Sequence, residues 1–570
     1  MYKRSFLGAA LLFSLGLACN GQIGAPGGGP GGGTGSSGGG AVGGGPTPAD
    51  NMMKAANPDL FAIASKYFPS TDAATAAKRM VRLTRTQLDL TTKTLLPAHA
   101  KTAAMTALPP DPLQTNYEYA ANLSFTPANF TPYTKWVEGI TASVRANPAS
   151  VIDCAASSNG VPCLQSEAKK FVGRAARGTL SDAQLTRYAD MLTSGVTEVG
   201  LPDAVADLVD VTLSSPNYVY RDEVLTDGAT LLQPAQRLQA MTYTLADAPP
   251  ETVGLSSATP AASLATADDV ARTVDLLLGT PEARAKLMRF FVSWLEVKEP
   301  ADFTIAPSVF PEFTPALAAA MVDEVKAFLN AQLSMGAPTL KDVTQSTQSF
   351  VSDALASIYG VAAGGAGKPT ALDPKQRLGI FTLPGVITSH SGPDTTRLVK
   401  RGVFFTRKVM CMPLGNPPPG VNTAIPSTAT GTERQKVESV TQTGACPACH
   451  SVINPFGFMQ ENFDPLGRWR TMDNGYPIDA NVSVDFLDEG PFTASTPVDA
   501  LKGFTNSMRF KQCFVRQMFR FYTGRDETAA DDPVLRQMFF GFADKDEQAI
   551  VKLLRVLANS SSLSQRSETP

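Results

Sequence analysis

From about residue 55 to residue 562, apolar positions recur at steps of three and four, the period of helices buried along one face. Thr280 and Pro281 read as an N-cap and first-turn proline, and Leu287, Phe290, Phe291, Trp294 and Leu295 follow at helical spacing. Met321, Val325, Phe328, Leu329 and Leu333 form a second stripe. Phe510, Cys513, Phe514, Met518, Phe521 and Tyr522 form a third, which Gly524 stops. Stripes of this kind predict core, not a cofactor surface. Alternation with a period of two is scarce, and residues 481–486 are the best strand candidate. The pattern predicts a mostly α protein made of several small helical domains. Gly, Pro and polar residues cluster at 153–162, 228–233, 360–373 and 487–496, which suggests boundaries there. Helical domains are therefore expected over 55–152, 153–230, 231–362 and 488–562, with a further domain over 373–480.

Composition narrows the class. The 570 residues are 43% hydrophobic, enough to fill ordinary cores, so wholesale disorder is excluded. The 49 Lys+Arg against 52 Asp+Glu leave a net charge of −3, without the basic excess of an electrostatic nucleic-acid binder.

The N-terminus predicts a compartment. Lys3 and Arg4 precede an apolar run over 6–17 that is short for a membrane span, and Leu17-Ala18-Cys19 closes it. This resembles a bacterial lipoprotein signal over 1–18. The resemblance implies that Cys19 becomes the lipidated first residue of an exported chain, held on the outer membrane and facing the periplasm or the cell surface. Residues 21–46 hold 15 Gly in 26 positions and cannot bury a core, so 19–50 is expected to be a disordered, flexible Gly-rich tether.

One motif carries chemistry. Cys446-Pro447-Ala448-Cys449-His450 is CxxCH, the attachment sequence of c-type haem, in which two thiolates add to vinyl groups and the histidine ligates the iron. A dithiol exchange site is the main rival, but such sites usually follow a buried strand. Here Val437 and Val440 are isolated apolar residues in a polar stretch. Zinc needs a fourth ligand, and a chain with 3 His offers few.

The residues after the motif carry a family resemblance. Cys446-Pro447-Ala448-Cys449-His450, then Ile453-Asn454-Pro455-Phe456-Gly457-Phe458, then Glu461-Asn462-Phe463-Asp464-Pro465-Leu466-Gly467-Arg468-Trp469-Arg470, resemble the planctomycete-type cytochrome c domain. Arg82-Leu83-Thr84-Arg85, residues 171–221, 290–295 with 355–360, and 513–525 resemble its companion helical domains of unknown function. Together these stretches cover most of 60–562. The family usually has Asp-Pro where this chain has Asn454-Pro455. The resemblance implies one covalent haem c and electron transfer with an unidentified redox partner protein. It supplies no substrate, so whether the chain is an enzyme stays open; an exported haem enzyme or polymer-binding protein with an open iron is the alternative.

The remaining cysteines and ligands can then be apportioned. Cys154, Cys163, Cys411 and Cys513 are left, and an oxidising compartment favours disulfides. Of the three possible pairings, Cys154 with Cys163 across a polar loop is favoured, which leaves Cys411 with Cys513. His450 is the proximal ligand. The far side of the iron falls to His390, to one of Met410, Met412, Met459, Met508 and Met518, or to an open site; His99 lies in a distant segment. The second ring nitrogen of His450 is expected to bond a backbone carbonyl within 451–455. Phe456, Phe458, Phe463 and Trp469 are expected to shield the macrocycle, with Arg468 or Arg470 pairing a propionate.

Overall fold

The computed structural model describes residues 47–71, 77–100, 108–114, 117–118, 123–154, 160–225, 228–362, 368–415, 429–444, 446–546 and 548–567. The expected signal peptide 1–18, Cys19 and most of the tether 19–50 lie outside the described residues. The rest is mostly α, as the apolar period predicts.

The N-terminal part is a helical layer closed by a two-stranded ribbon, in which β1 (Met80–Arg82) pairs antiparallel with β2 (Tyr220–Asp222) and Val81 faces Arg221. Between the strands lie α1 (Pro127–Ala146), α2 (Gly160–Ala175), α3 (Asp182–Val199) and α4 (Leu201–Leu213). Trp136, Ile140, Val144, Phe171, Leu192, Val205 and Leu208 fill their common core. That core crosses the boundary suggested at 153–162. The Cys154–Cys163 disulfide sits at that boundary, joining two segments of one layer.

A second core runs from α5 (Pro234–Ala246) to the C-terminus and also takes in Met53, Leu60 and Phe68 from the first helices. Its centre is aromatic. In α6 (Pro281–Trp294), Thr280 caps the helix by accepting from the Ala283 amide at 3.2 Å. One turn apart on the buried face, Phe290 and Trp294 stack at 5.8 Å. They meet Phe514 of α11 (Met508–Thr523), which ends on Gly524 in the left-handed conformation, φ 64°. The stripe of Met321, Val325 and Phe328 lies on α7 (Pro315–Leu333), fully buried. The expected strand at 481–486 is β3 (Val482–Val484), paired with β4 (Phe492–Ala494). This core also crosses the boundaries suggested at 360–373 and 487–496.

Within it, α8 (Leu398–Phe404) continues into a π-helical turn over Phe405–Val409. The segment leads to Cys411, which is bonded to Cys513 of α11 across a separation of 102 residues. A crosslink closing a loop of that length contributes about 4–5 kcal/mol in the chain-entropy account. After α9 (Glu433–Thr441) comes α10 (Pro447–Phe458), which packs on α8 at backbone contact. A Cβ on Gly402 would lie 2.3 Å from the Ile453 carbonyl oxygen, and one on Gly457 would lie 2.3 Å from that of Leu398. Two glycines, one on each helix, thus fix where α10 rests. No helix among the described residues is long and apolar enough to cross a membrane.

Candidate functional site

The CxxCH motif opens α10. Pro447 suits the first turn because no amide hydrogen is needed there. The amides of Cys449 and His450 both bond the Cys446 carbonyl, at 3.2 and 3.0 Å. Cys446, Cys449 and His450 therefore occupy positions i, i+3 and i+4 of one helical turn and share a side. Both thiols are free of disulfides, and all three residues are partly exposed.

A hydrogen-bond relay sets the histidine. The Thr441 hydroxyl donates to the Val437 carbonyl at 2.9 Å, so its oxygen accepts from Asn454 Nδ2 at 3.0 Å. That fixes the amide with Oδ1 toward His450 Nδ1, 2.8 Å away. In the neutral ring this bond selects the tautomer with the proton on Nδ1 and the lone pair on Nε2, the form that ligates a metal. The expected backbone acceptor within 451–455 is replaced by this side chain. The reason is geometric: inside a helix the carbonyls point along the axis, whereas a residue at i+4 lies directly beneath the imidazole. That spacing was the signal in the sequence.

The residues expected to shield a macrocycle are packed as follows. Phe456 is fully buried against Phe405, Phe486 and Phe504, its ring 4.7 Å from that of Phe504. Phe458 packs with Leu398 and Val437 under the guanidinium of Arg434. Phe463 is fully buried, and the half-buried Trp469 meets its ring edge-on at 5.4 Å. The arginines are committed too. Arg468 pairs with Asp464 at 2.7 Å and with Glu312, and Arg470 pairs with Asp473 at 2.6 Å. Arg470 Nη2 is buried without a hydrogen-bond partner.

His390 lies in the core. It is buried, its ring lies 3.8 Å from that of Phe404, and Nε2 meets the Leu295 carbonyl at 2.9 Å. Burial depresses its pKa to about 3, so it is a neutral core histidine whose Nε2 is bonded to a backbone carbonyl. Met410, Met459 and Met518 are likewise fully buried in the core. Met412 and Met508 pack against it, half-buried.

Arg401 explains the segment 460–464 and was missed from sequence. It is buried, and its guanidinium donates to the carbonyls of Gln460, Phe463 and Asp464 and to the Ser391 hydroxyl, all within 2.8–3.0 Å. Burial lowers its pKa to about 9, so it remains charged at neutral pH. A lone arginine on a helix gives no sequence signal for such a role.

The donor set can be tested against each chemistry. Two free thiols on one turn, with a histidine oriented through Nδ1 beside them, fit haem c. The motif follows helix α9 rather than a buried strand, which removes the setting of a dithiol exchange site. Among the described residues no three His, Cys, Asp or Glu side chains gather as a zinc site requires.

Comparison with known proteins agrees with this setting. Residues 377–473 match the family PSCyt3, described as a protein of unknown function (DUF1588), and residues 232–361 match PSD4, described as a protein of unknown function (DUF1592). Both are companion domains of planctomycete cytochromes c, and the first match contains the entire CxxCH motif. No curated protein and no solved structure matches the chain.

Proposed function

We propose that the chain is an exported, lipid-anchored monohaem c-type cytochrome that passes electrons to or from a partner protein. Cys446 and Cys449 hold the haem by thioether bonds, and His450 Nε2 is its proximal ligand. The observation that carries this reading is the Thr441–Asn454–His450 relay, which engages Nδ1 and orients the imidazole on the same helical turn as two free thiols. When bound, the haem supplies a one-electron couple. The chain's own part is to fix the imidazole's orientation and tautomer through Asn454, and to hold α10 rigid against α8 through Gly402 and Gly457. The signal-like N-terminus and Cys19 support export and anchoring. The test is to express the chain with c-type maturation and extract it with acidified organic solvent. Haem retained on a peptide containing Cys446 and Cys449 is expected; haem released into the solvent would contradict covalent attachment.

A second reading is favoured by the placement of the distal candidates. His390 Nε2 is bonded to the Leu295 carbonyl and Met410, Met459 and Met518 are fully buried in the core, while Met412 and Met508 are half-buried against it. An open sixth position would suit small-molecule chemistry. Ready binding of carbon monoxide by the ferrous protein supports that reading, and indifference to it returns the chain to the electron carriers.

A further inference from the structure

The two matched regions, 232–361 and 377–473, meet around one buried carboxyl. Glu324 of α7 is 2% exposed, and its Oε1 accepts from the Ser349 and Tyr359 hydroxyls, both at 2.5 Å. Its Oε2 is buried without a partner. The cation that acts on it, Arg377, is spent elsewhere: Nη1 donates to the Thr382 carbonyl at 2.7 Å and Nη2 to the Gly467 carbonyl at 2.6 Å. The guanidinium also lies over the rings of Tyr359, 4.3 Å from its centre, and Phe463, at 5.2 Å. Ser349 and Tyr359 belong to the first region, and Arg377, Phe463 and Gly467 to the second.

The junction is closed at backbone contact. A Cβ on Gly379 would lie 2.1 Å from the Thr344 carbonyl oxygen, and one on Gly385 would lie 2.5 Å from that of Met321, three residues before Glu324 on α7. An ionised Glu324 therefore sits in a packed core with one oxygen bare and no ion pair, which is costly. Burial pushes its pKa up to about 7, although the hydroxyls of Ser349 and Tyr359 and the charge of Arg377 pull the other way. The Tyr359 hydroxyl keeps its proton, because burial and the charge of Glu324 raise its own pKa. Among the described residues, the elements packed on α7, α6 and the helix Pro384–Ser389 included, bring no further charged group to bear on the carboxyl. Asp464 acts on Arg377 from the second region.

We propose that Glu324 is a proton-controlled latch: as a neutral acid it holds residues 348–360 against α7 and, through Tyr359 and Arg377, the turn 463–468, and on losing its proton to solvent it releases them. Tyr359 is half-buried and Gly360 beyond it is exposed, so this is the side that opens. Once open, the carboxyl returns to its ordinary pKa of 4.5. The closed form binds the proton more tightly than the open form, so opening becomes easier as pH rises and levels off above about pH 7, where the closed form ionises as well. α10 and its motif take no part, so the latch stands or falls apart from haem attachment.

Amide hydrogen exchange of the purified full chain, corrected for the intrinsic rate at each pH, reads this opening. Protection over 348–360 and 463–468 is expected to fall about tenfold from pH 6 to pH 8.5, with no such fall in α1–α4. Glu324→Gln keeps an acceptor for both hydroxyls and cannot ionise, so its protection should change less than about twofold. Tyr359→Phe removes a donor to the ionised form, so the pH at which protection levels off should rise, and this variant decides if Glu324→Gln does not fold. The latch is overturned by wild-type protection that does not change with pH, by an equal fall in Glu324→Gln or in α1–α4, or by a levelling pH in Tyr359→Phe that stays or moves down.

Discussion

One continuous run of sequence behaves as two regions. From Cys446 to His450 the functional side chains are half-exposed, and each is either uncommitted or committed on one side only: the thiols carry no disulfide, and His450 is bonded through Nδ1. From Phe456 to Arg470 nearly everything is buried or paired, by core aromatics, by Asp464, Asp473 and Glu312, and by Arg401 reaching three carbonyls. The two histidines repeat the contrast, because His390 spends its Nε2 on Leu295 and is sealed under Phe404. The chemistry thus occupies one helical turn, and the longer motif is the frame that holds it. Substitutions in the frame should cost stability. Those in the turn should cost haem.

The sharpest way to break the contrast is Arg401→Met. It removes four hydrogen bonds from a buried cation and leaves the 460–464 turn without its staple. Urea unfolding of the haem-free chain is expected to show a loss of at least about 3 kcal/mol. A loss under about 1 kcal/mol would mean that the frame does not depend on it.

His390 comes next, through pH. Its folded pKa of about 3 lies below the unfolded value of 6.5, so the unfolded chain binds the extra proton between them. Stability from this group is complete above pH 6.5 and is lost as pH falls toward 3. Between pH 7 and pH 5 its share is about 2 kcal/mol. His390→Gln should remove that share of the acid loss, and the haem spectrum of the holoprotein should not change. A changed spectrum would restore His390 as a ligand.

These outcomes bear on what the sequence made legible. Helical stripes were readable because periodicity depends on burial alone: Phe290 and Trp294 on α6, and Phe510 to Tyr522 on α11 with its glycine stop, lie where the pattern puts them. The helical turn that brings Cys446, Cys449 and His450 to one side was readable because their spacing is local in sequence. The fate of Phe456, Arg468 and His390 was not, since their partners Phe504, Glu312 and Leu295 come from other elements. The cores pass beneath the loops at 153–162, 360–373 and 487–496, because stretches rich in Gly and Pro mark where the chain turns and not where packing stops.

Asn454 lies on the line between the regions. Asn454→Asp places a carboxylate against Nδ1, strengthens the imidazole as a donor and favours the ferric state, so the midpoint potential should fall by tens of millivolts. Asn454→Leu removes the acceptor altogether and lets the ring turn. Its folded stability should drop by only about 1 kcal/mol while haem incorporation declines. Equal potentials in wild type and Asn454→Asp would show that the relay does not reach the iron.

The smallest effect on stability should come from the residues most important to chemistry. Replacing Cys446 and Cys449 together by Ser keeps the two amide bonds to the Cys446 carbonyl, because they are backbone bonds, and leaves Pro447 in the first turn. Both thiols are half-exposed and neither belongs to a disulfide, so little burial and no crosslink is lost. The haem-free double variant is expected to unfold within about 0.5 kcal/mol of wild type. Covalent haem should disappear entirely. A stability loss above about 2 kcal/mol would make the thiols part of the frame, and the division between frame and turn would fail at its clearest point.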